Sequence, residues 1–125
     1  GLSFEGIHLE DGSGLSGDNA VSAYFMAAFM RKMAAGPQDV AEAFRLSIPL
    51  AGRTSSMEYR LRGTRAEGRL RAKTGTLRNV RAFTGYANSR SGRRLAYSVM
   101  VNNYSGSGGQ MRQQLEQFLL ALCEN

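Results

Sequence analysis

The chain has 125 residues, 42% of them hydrophobic and 21% charged, with a formal charge of +6. That length holds one domain at most, or a piece of one, with a modest core. No run of 18 apolar residues exists to span a membrane, one cysteine forbids an internal disulfide, and one histidine (His8) leaves a zinc site almost without ligands.

Gly1 stands where a start Met would, and no charged-then-apolar leader opens the chain, as expected of a segment cut from a longer protein. Leu9–Ser22 is rich in Gly and Ser and reads as an ordered loop. A helix follows, capped by Ser22 and stopped by Gly36-Pro37. Tyr24, Phe25, Met26, Phe29, Met30 and Met33 make it apolar nearly all round, so it is expected to be buried. Pro37 opens a second helix to Phe44, with Asp39 and Glu42 near its N-terminal end. IPLAGR is a break and SSMEYRLRG a short helical turn.

From Arg69 the period becomes two: Leu70 and Ala72 alternate with Arg71 and Lys73, the pattern of a half-buried strand. VRAFTGYANS and RRLAYSVMVNN are two more strands, joined through SRSG as a hairpin. After YSGSGG, Met111, Leu115, Phe118, Leu119 and Leu122 share one face of a C-terminal helix expected to pack on the sheet. Cys123 is expected to be a packed thiol. The sum is α+β, with antiparallel strands flanked by helices.

The charge is uneven. Arg53 to Arg94 carries twelve Lys/Arg against Glu58 and Glu67 alone, while the remainder has four basic and eight acidic residues. Such a stretch suits an acidic partner, neutralises acids elsewhere, or is a solvated surface. Basic strands with Phe83, Tyr86 and Tyr97 interleaved superficially resemble a nucleic-acid stacking platform, but no nucleic-acid motif is present, and nucleic acid is not an expected partner.

The chemistry concentrates at Lys73-Thr74-Gly75-Thr76. Alternation sends Lys73 and Gly75 to one face and Thr74 and Thr76 to the other. On an edge strand, Gly75 lets a substrate backbone approach, and unpaired main-chain groups can pair with an extended peptide. The Thr76 N–H can then donate to a developing oxyanion beside the Lys73 ammonium, and either threonine hydroxyl can hold a terminal carboxylate. Lys-Thr-Gly alone also fits a plain turn.

Its context is more specific. LEDGSGLSGDN, SIPLAGRTSSMEYR and GRLRAKTGTLRNVRAFTGYANSRSGRRLAYSVMVNN resemble, in order, segments of the penicillin-binding protein 4 type of D-alanyl-D-alanine carboxypeptidases, the class C low-molecular-mass serine peptidases. The resemblance implies the C-terminal part of a penicillin-recognising transpeptidase/β-lactamase-like fold, periplasmic or extracytoplasmic. It implies an acyl-enzyme carboxypeptidase or endopeptidase acting on peptidoglycan peptides that end in D-Ala-D-Ala. β-Lactams would be inhibitors of the full-length protein, with no cofactor and no metal. Lys73 would keep the site electropositive and support proton traffic, Thr74 and Thr76 would bind substrate, and the Thr76 N–H would form half of the oxyanion hole. Asp11–Ser16 would be a structural loop near the cleft.

The sequence departs from that family's pattern. No serine has Lys three positions on or Asn two positions on; Ser16-Gly17-Asp18-Asn19 is one residue too long. Gly17 also stands where the family commonly has a basic residue. The nucleophile is therefore expected upstream in a longer protein, with residues 1–125 as a C-terminal segment inactive alone. The alternative is a non-catalytic wall-binding or interaction module derived from the same fold.

Overall fold

The computed structural model describes residues 1–125. In chain order it contains α1 (Ala23–Ala34), α2 (Gln38–Ser47), a 3-10 turn (Ser55–Met57), β1 (Leu70–Leu77), β2 (Val80–Asn88), β3 (Arg94–Asn102) and α3 (Gly108–Glu124). The strands form one antiparallel sheet in the order β1-β2-β3. No helix is long and apolar enough to cross a membrane.

Local chemistry sets the boundaries. Ser22 caps α1 by accepting from the Phe25 N–H at 3.0 Å, and Ser107 caps α3 by accepting from the Gln110 N–H at 3.1 Å. The second helix starts at Gln38, with Pro37 as its cap, and runs three residues past the expected Phe44 to Ser47. It stops where Ile48, the residue before Pro49, becomes extended with ψ 128°, because the proline ring disfavours helical backbone in its predecessor. Two residues, Arg78 and Asn79, join β1 to β2. Asn79 takes the left-handed conformation, φ 54°, which Asn tolerates better than most residues.

Register assigns the two faces of the sheet. Leu70, Ala72, Phe83, Ala87 and Tyr97 lie on one face and form the larger core with Leu115, Leu119 and Cys123 of α3. The other face carries Tyr86 and Ala96 against Met30 and Phe29 of α1. The Tyr86 hydroxyl donates to the Met30 carbonyl at 2.6 Å, tying α1 to the sheet. The irregular chain between α2 and β1 is tied to α3: Arg60 pairs with Glu116 at 2.9 Å, and Arg65 Nε donates to the Cys123 carbonyl at 3.0 Å.

Two packing expectations are corrected. The first helix is not buried all round: Met30 is its one buried residue, and Tyr24 is 84% exposed. A three-stranded sheet covers only one stripe of a helix, so Phe25, Met26, Phe29 and Met33 are only half-buried and Tyr24 is exposed. In α3, Phe118 is 45% exposed, and the buried stripe is Leu115, Leu119 and Cys123. Spacing by four keeps those three over the sheet, while Phe118 falls to the side.

Gly85 is required by a close approach. A Cβ there would overlap the Arg71 carbonyl oxygen of β1. The hydroxyl of Tyr97, its partner on β3, reaches the same oxygen at 2.9 Å. One tyrosine thus spans all three strands over a glycine. Burial pushes its phenol pKa far up and keeps the O–H a donor. Gly85→Ala must separate β1 from β2 and is expected to cost about 3 kcal/mol, the upper end of what overpacking costs. Urea unfolding of wild type and variant checks this; equal midpoints contradict it.

Candidate active site

The outer side of β1 is covered over half its length. The Ala51 N–H donates to the Leu70 carbonyl at 2.8 Å, and the Ala72 N–H donates to the Pro49 carbonyl at 2.9 Å. Leu50 forms the bridge opposite Arg71. Beyond Ala72 the cover ends, because the preceding chain turns away through Ile48 into α2.

Main-chain groups in an antiparallel strand point outward at every second residue. Since Leu70 and Ala72 point outward, so do Thr74 and Thr76, now with no strand beside them. The Thr74 carbonyl accepts from Lys73 Nζ at 2.8 Å. Lys73, Gly75 and Thr76 are exposed and Thr74 is half-buried. The expected free edge is therefore present, and all four residues of the motif lie along it.

The faces alternate as the sequence predicts. Lys73 lies opposite Thr84, on the α1 side. Thr74 lies opposite Phe83 and Thr76 opposite Arg81, on the α3 side. The ammonium and the two hydroxyls thus flank the edge from opposite sides. A Cβ at Gly75 would meet only the Ala82 Cβ, at 3.5 Å. That is ordinary contact, so the fold itself does not demand glycine there, and the bare position leaves the edge open to an approaching chain.

Sequence reasoning passed over three neighbours. Arg81 Nη1 donates to Thr76 Oγ1 at 2.7 Å. The guanidinium fills one acceptor site of the hydroxyl and leaves its proton free to donate outward. Counting back across the two-residue turn at Arg78-Asn79 would have placed Arg81 opposite Thr76. Thr84 and Ser98 continue the cross-strand row that starts at Lys73, and their hydroxyls bond at 2.8 Å. Thr84 is buried, so this pair satisfies two polar groups within a sheet face.

The Asp11–Ser16 loop is organised by one carboxylate. Asp11 accepts from Ser13 Oγ at 2.6 Å, Asn19 Nδ2 at 2.7 Å, the Gly14 N–H at 3.0 Å and the Ser16 N–H at 3.2 Å. Asn19 Oδ1 in turn accepts from the Glu10 N–H at 2.8 Å. Each residue of the DGSGLS segment that donates does so inside the loop, which accounts for the spacing structurally. Cys123 is buried and burial pushes its thiol pKa up, as a packed cysteine requires. Phe83, Tyr86 and Tyr97 are all buried and offer no stacking face to a base.

The hydrogen bonds from Ser13 and Asn19, in that order, lower the Asp11 pKa from 3.8 to about 2. A depressed carboxylate contributes loop order that is fully present above its ordinary pKa and is lost as pH falls through the lowered one. Carboxyl carbon NMR is expected to give an Asp11 midpoint near 2. An unshifted midpoint contradicts the carboxylate-centred loop.

Comparison with known proteins places the chain in a family. The model of the D-Ala-D-Ala carboxypeptidase 3 (S13) family matches residues 1–122. A D-alanyl-D-alanine carboxypeptidase of Actinomadura sp. (strain R39) is 37% identical over 111 residues, covering 85% of this chain and 20% of that protein. Carboxypeptidase DacB of Mycolicibacterium smegmatis is 33% identical over 112 residues, covering 86% and 24%. The crystal structure of penicillin binding protein 4 from Haemophilus influenzae superimposes with a TM-score of 0.83 at 28% identity, over 98% of this chain and 28% of that one. The same protein has been solved with a novel β-lactam. The chain thus spans about a fifth to a quarter of the curated relatives it matches. Its three antiparallel strands with a C-terminal helix on the sheet are part of the penicillin-binding protein 4 fold, and the chain belongs to the D-Ala-D-Ala carboxypeptidase 3 (S13) family.

Proposed function

We propose that this chain supplies the substrate-binding and oxyanion strand of a serine-type D-Ala-D-Ala carboxypeptidase or endopeptidase. The observation that carries this reading is the open half-edge of β1, where Lys73 to Thr76 lie without a neighbouring strand. Residues 1–125 are, in this reading, the C-terminal segment of a transpeptidase-like domain, and the nucleophile lies in another part of the protein. The enzyme works outside the cytoplasm on peptidoglycan stem peptides, and β-lactams are its inhibitors.

The steps follow from what each group can do. A stem peptide ending in D-Ala-D-Ala lies extended along the edge and pairs with the outward groups of Thr74 and Thr76. Its scissile carbonyl oxygen comes to the Thr76 N–H. When the serine oxygen attacks the carbonyl carbon, the oxygen gains negative charge and that N–H stabilises it. The Lys73 ammonium lies beside the bond and leaves the Thr74 carbonyl as substrate arrives. The Thr74 and Thr76 hydroxyls donate to the terminal carboxylate, with Arg81 holding the Thr76 oxygen. The C–N bond then breaks, and the terminal D-Ala leaves with the proton that the serine hydroxyl gave up now on its amine. Water gives its oxygen to the acyl carbon and a proton back to the serine oxygen, releasing the acyl group as a carboxylate.

Labelled penicillin tests the reading. With the intact protein, a one-to-one covalent adduct is expected, and Lys73→Gln is expected to slow acylation about 10²–10⁴-fold, as lost proton-transfer assistance does. Residues 1–125 alone are expected to form no adduct. An adduct with the isolated segment contradicts an external nucleophile, and no adduct with the intact protein favours a non-catalytic module.

Gly75→Ala separates site from fold. The added methyl has room inside the sheet, so the unfolding midpoint is expected to hold within about 0.5 kcal/mol, the range of a neutral surface change. Acylation is expected to fall at least tenfold because the methyl stands on the open edge. Unchanged acylation sinks the proposal that substrate lies against Gly75.

A further inference from the structure

Five residues along β1 from Thr76, about 16 Å at the rise of a strand, the sheet carries a second arrangement of charge. Arg45, Arg69, Arg71, Tyr86, Asn88 and Arg94 line a cavity of about 80 Å³ where the start of β1, the end of β2 and the start of β3 meet α2. Arg45, Tyr86 and Arg94 also line an adjoining cleft of about 400 Å³ with Glu42.

The partners of these groups can be followed one by one. Arg45 gives Nε and Nη2 to the two oxygens of Glu42, at 2.8 and 2.6 Å. Arg71 Nη1 donates to the Ile48 carbonyl at 2.7 Å, while its Nε is buried with no partner. Arg94 makes no ion pair and no side-chain hydrogen bond, nor does the side chain of Asn88 bond to anything. The Tyr86 hydroxyl is spent on the Met30 carbonyl, leaving its ring as a wall.

Glu42 is the one carboxylate in the cleft, and it is already engaged bidentately by Arg45. Burial and the like charge of Arg45 both push the Arg71 guanidinium pKa down. Two costs therefore remain: a buried N–H without an acceptor, and like charges crowded in a partly desolvated cavity. One oxyanion removes both. Guanidinium groups match a tetrahedral oxyanion through paired N–H donors. Arg45, Arg71 and Arg94 against Glu42 leave a positive surplus of two, which a phosphate or monoester dianion balances in full and a phosphodiester monoanion in part.

The geometry points to an anion site that takes a phosphate-class oxyanion between Arg71 and Arg94, with Asn88 as a further donor and the Arg45–Glu42 pair as its wall. The site does not depend on the hydrolase reading, and it lies at the opposite end of β1 from the open edge. Its ligand is either a free phosphate or monoester, or the phosphodiester of an anionic polymer.

Calorimetric titration of the intact protein at pH 7.5 tests it, with inorganic phosphate and dimethyl phosphate as probes. Saturable binding of phosphate is expected, weakened at least tenfold by Arg94→Gln, abolished by Arg71→Gln and unchanged by Arg78→Gln in the distant β1–β2 turn. Arg94 is exposed, so its variant reports on the ligand even where Arg71→Gln fails to fold. Phosphate binding alone assigns a free ion or monoester, and binding of both probes assigns a diester. Binding of neither probe, or binding that Arg94→Gln leaves intact or Arg78→Gln weakens equally, overturns the site.

Discussion

The outer edge of β1 depends on where its pairing stops. Backbone donors and acceptors need partners, and Pro49–Ala51 supplies them to Leu70 and Ala72 and to nothing beyond. Two chemical facts impose the stop. Pro49 accepts through its carbonyl but has no N–H to extend a ladder, and the chain before it is already committed to α2. A longer cover would bury the motif, and a shorter one would leave the start of β1 without support. The half-covered edge holds a strand rigid at one end and leaves its main chain available at the other.

The two faces of the sheet divide the remaining work. The α3 face is mostly apolar and holds the strands together, with Tyr97 reaching across Gly85 to the Arg71 carbonyl. It ends in polar residues only at the open edge, where Thr76 meets Arg81. The α1 face is more polar: the Lys73–Thr84–Ser98 row at the centre gives way to Arg71, Tyr86 and Arg94 near α2. Both arrangements share β1, and the same strand alternation that keeps Leu70 and Ala72 in the core turns Arg71 and Lys73 away from it.

The basic stretch resolves into groups with different tasks. Arg53 and Arg60 pair with Glu67 and Glu116, and Arg65 holds the end of α3. Arg60 and Arg65 tie an irregular segment of about twenty residues to α3, and the Arg53–Glu67 pair braces that segment internally. Arg81 serves Thr76. Arg71 and Arg94 are among the cations of the stretch without carboxylate partners, and these two line the same cavity. Net charge from the sequence could not separate these, since Arg60, Arg65 and Arg81 reach acceptors that only folding brings within a few ångströms.

Much of the architecture was legible because it depends on local chemistry. Ser22, Gly36-Pro37, the two-residue period from Leu70 and the four-residue spacing of Leu115 and Leu119 each act within a turn or a few residues of strand. The Lys73–Thr76 motif and its alternation were legible for the same reason. Burial was not: α1 looks apolar all round, yet only Met30 is enclosed, because enclosure depends on what packs opposite. Arg81 beside Thr76, the free edge beyond Ala72 and the crowding of Arg45, Arg71 and Arg94 depend on register and on how α2 meets the sheet. Sequence alone determined which groups could do chemistry and which way they alternate. Tertiary structure decided which of them meet, because a hydrogen bond or an electrostatic contact acts over a few ångströms in space, whatever the separation along the chain.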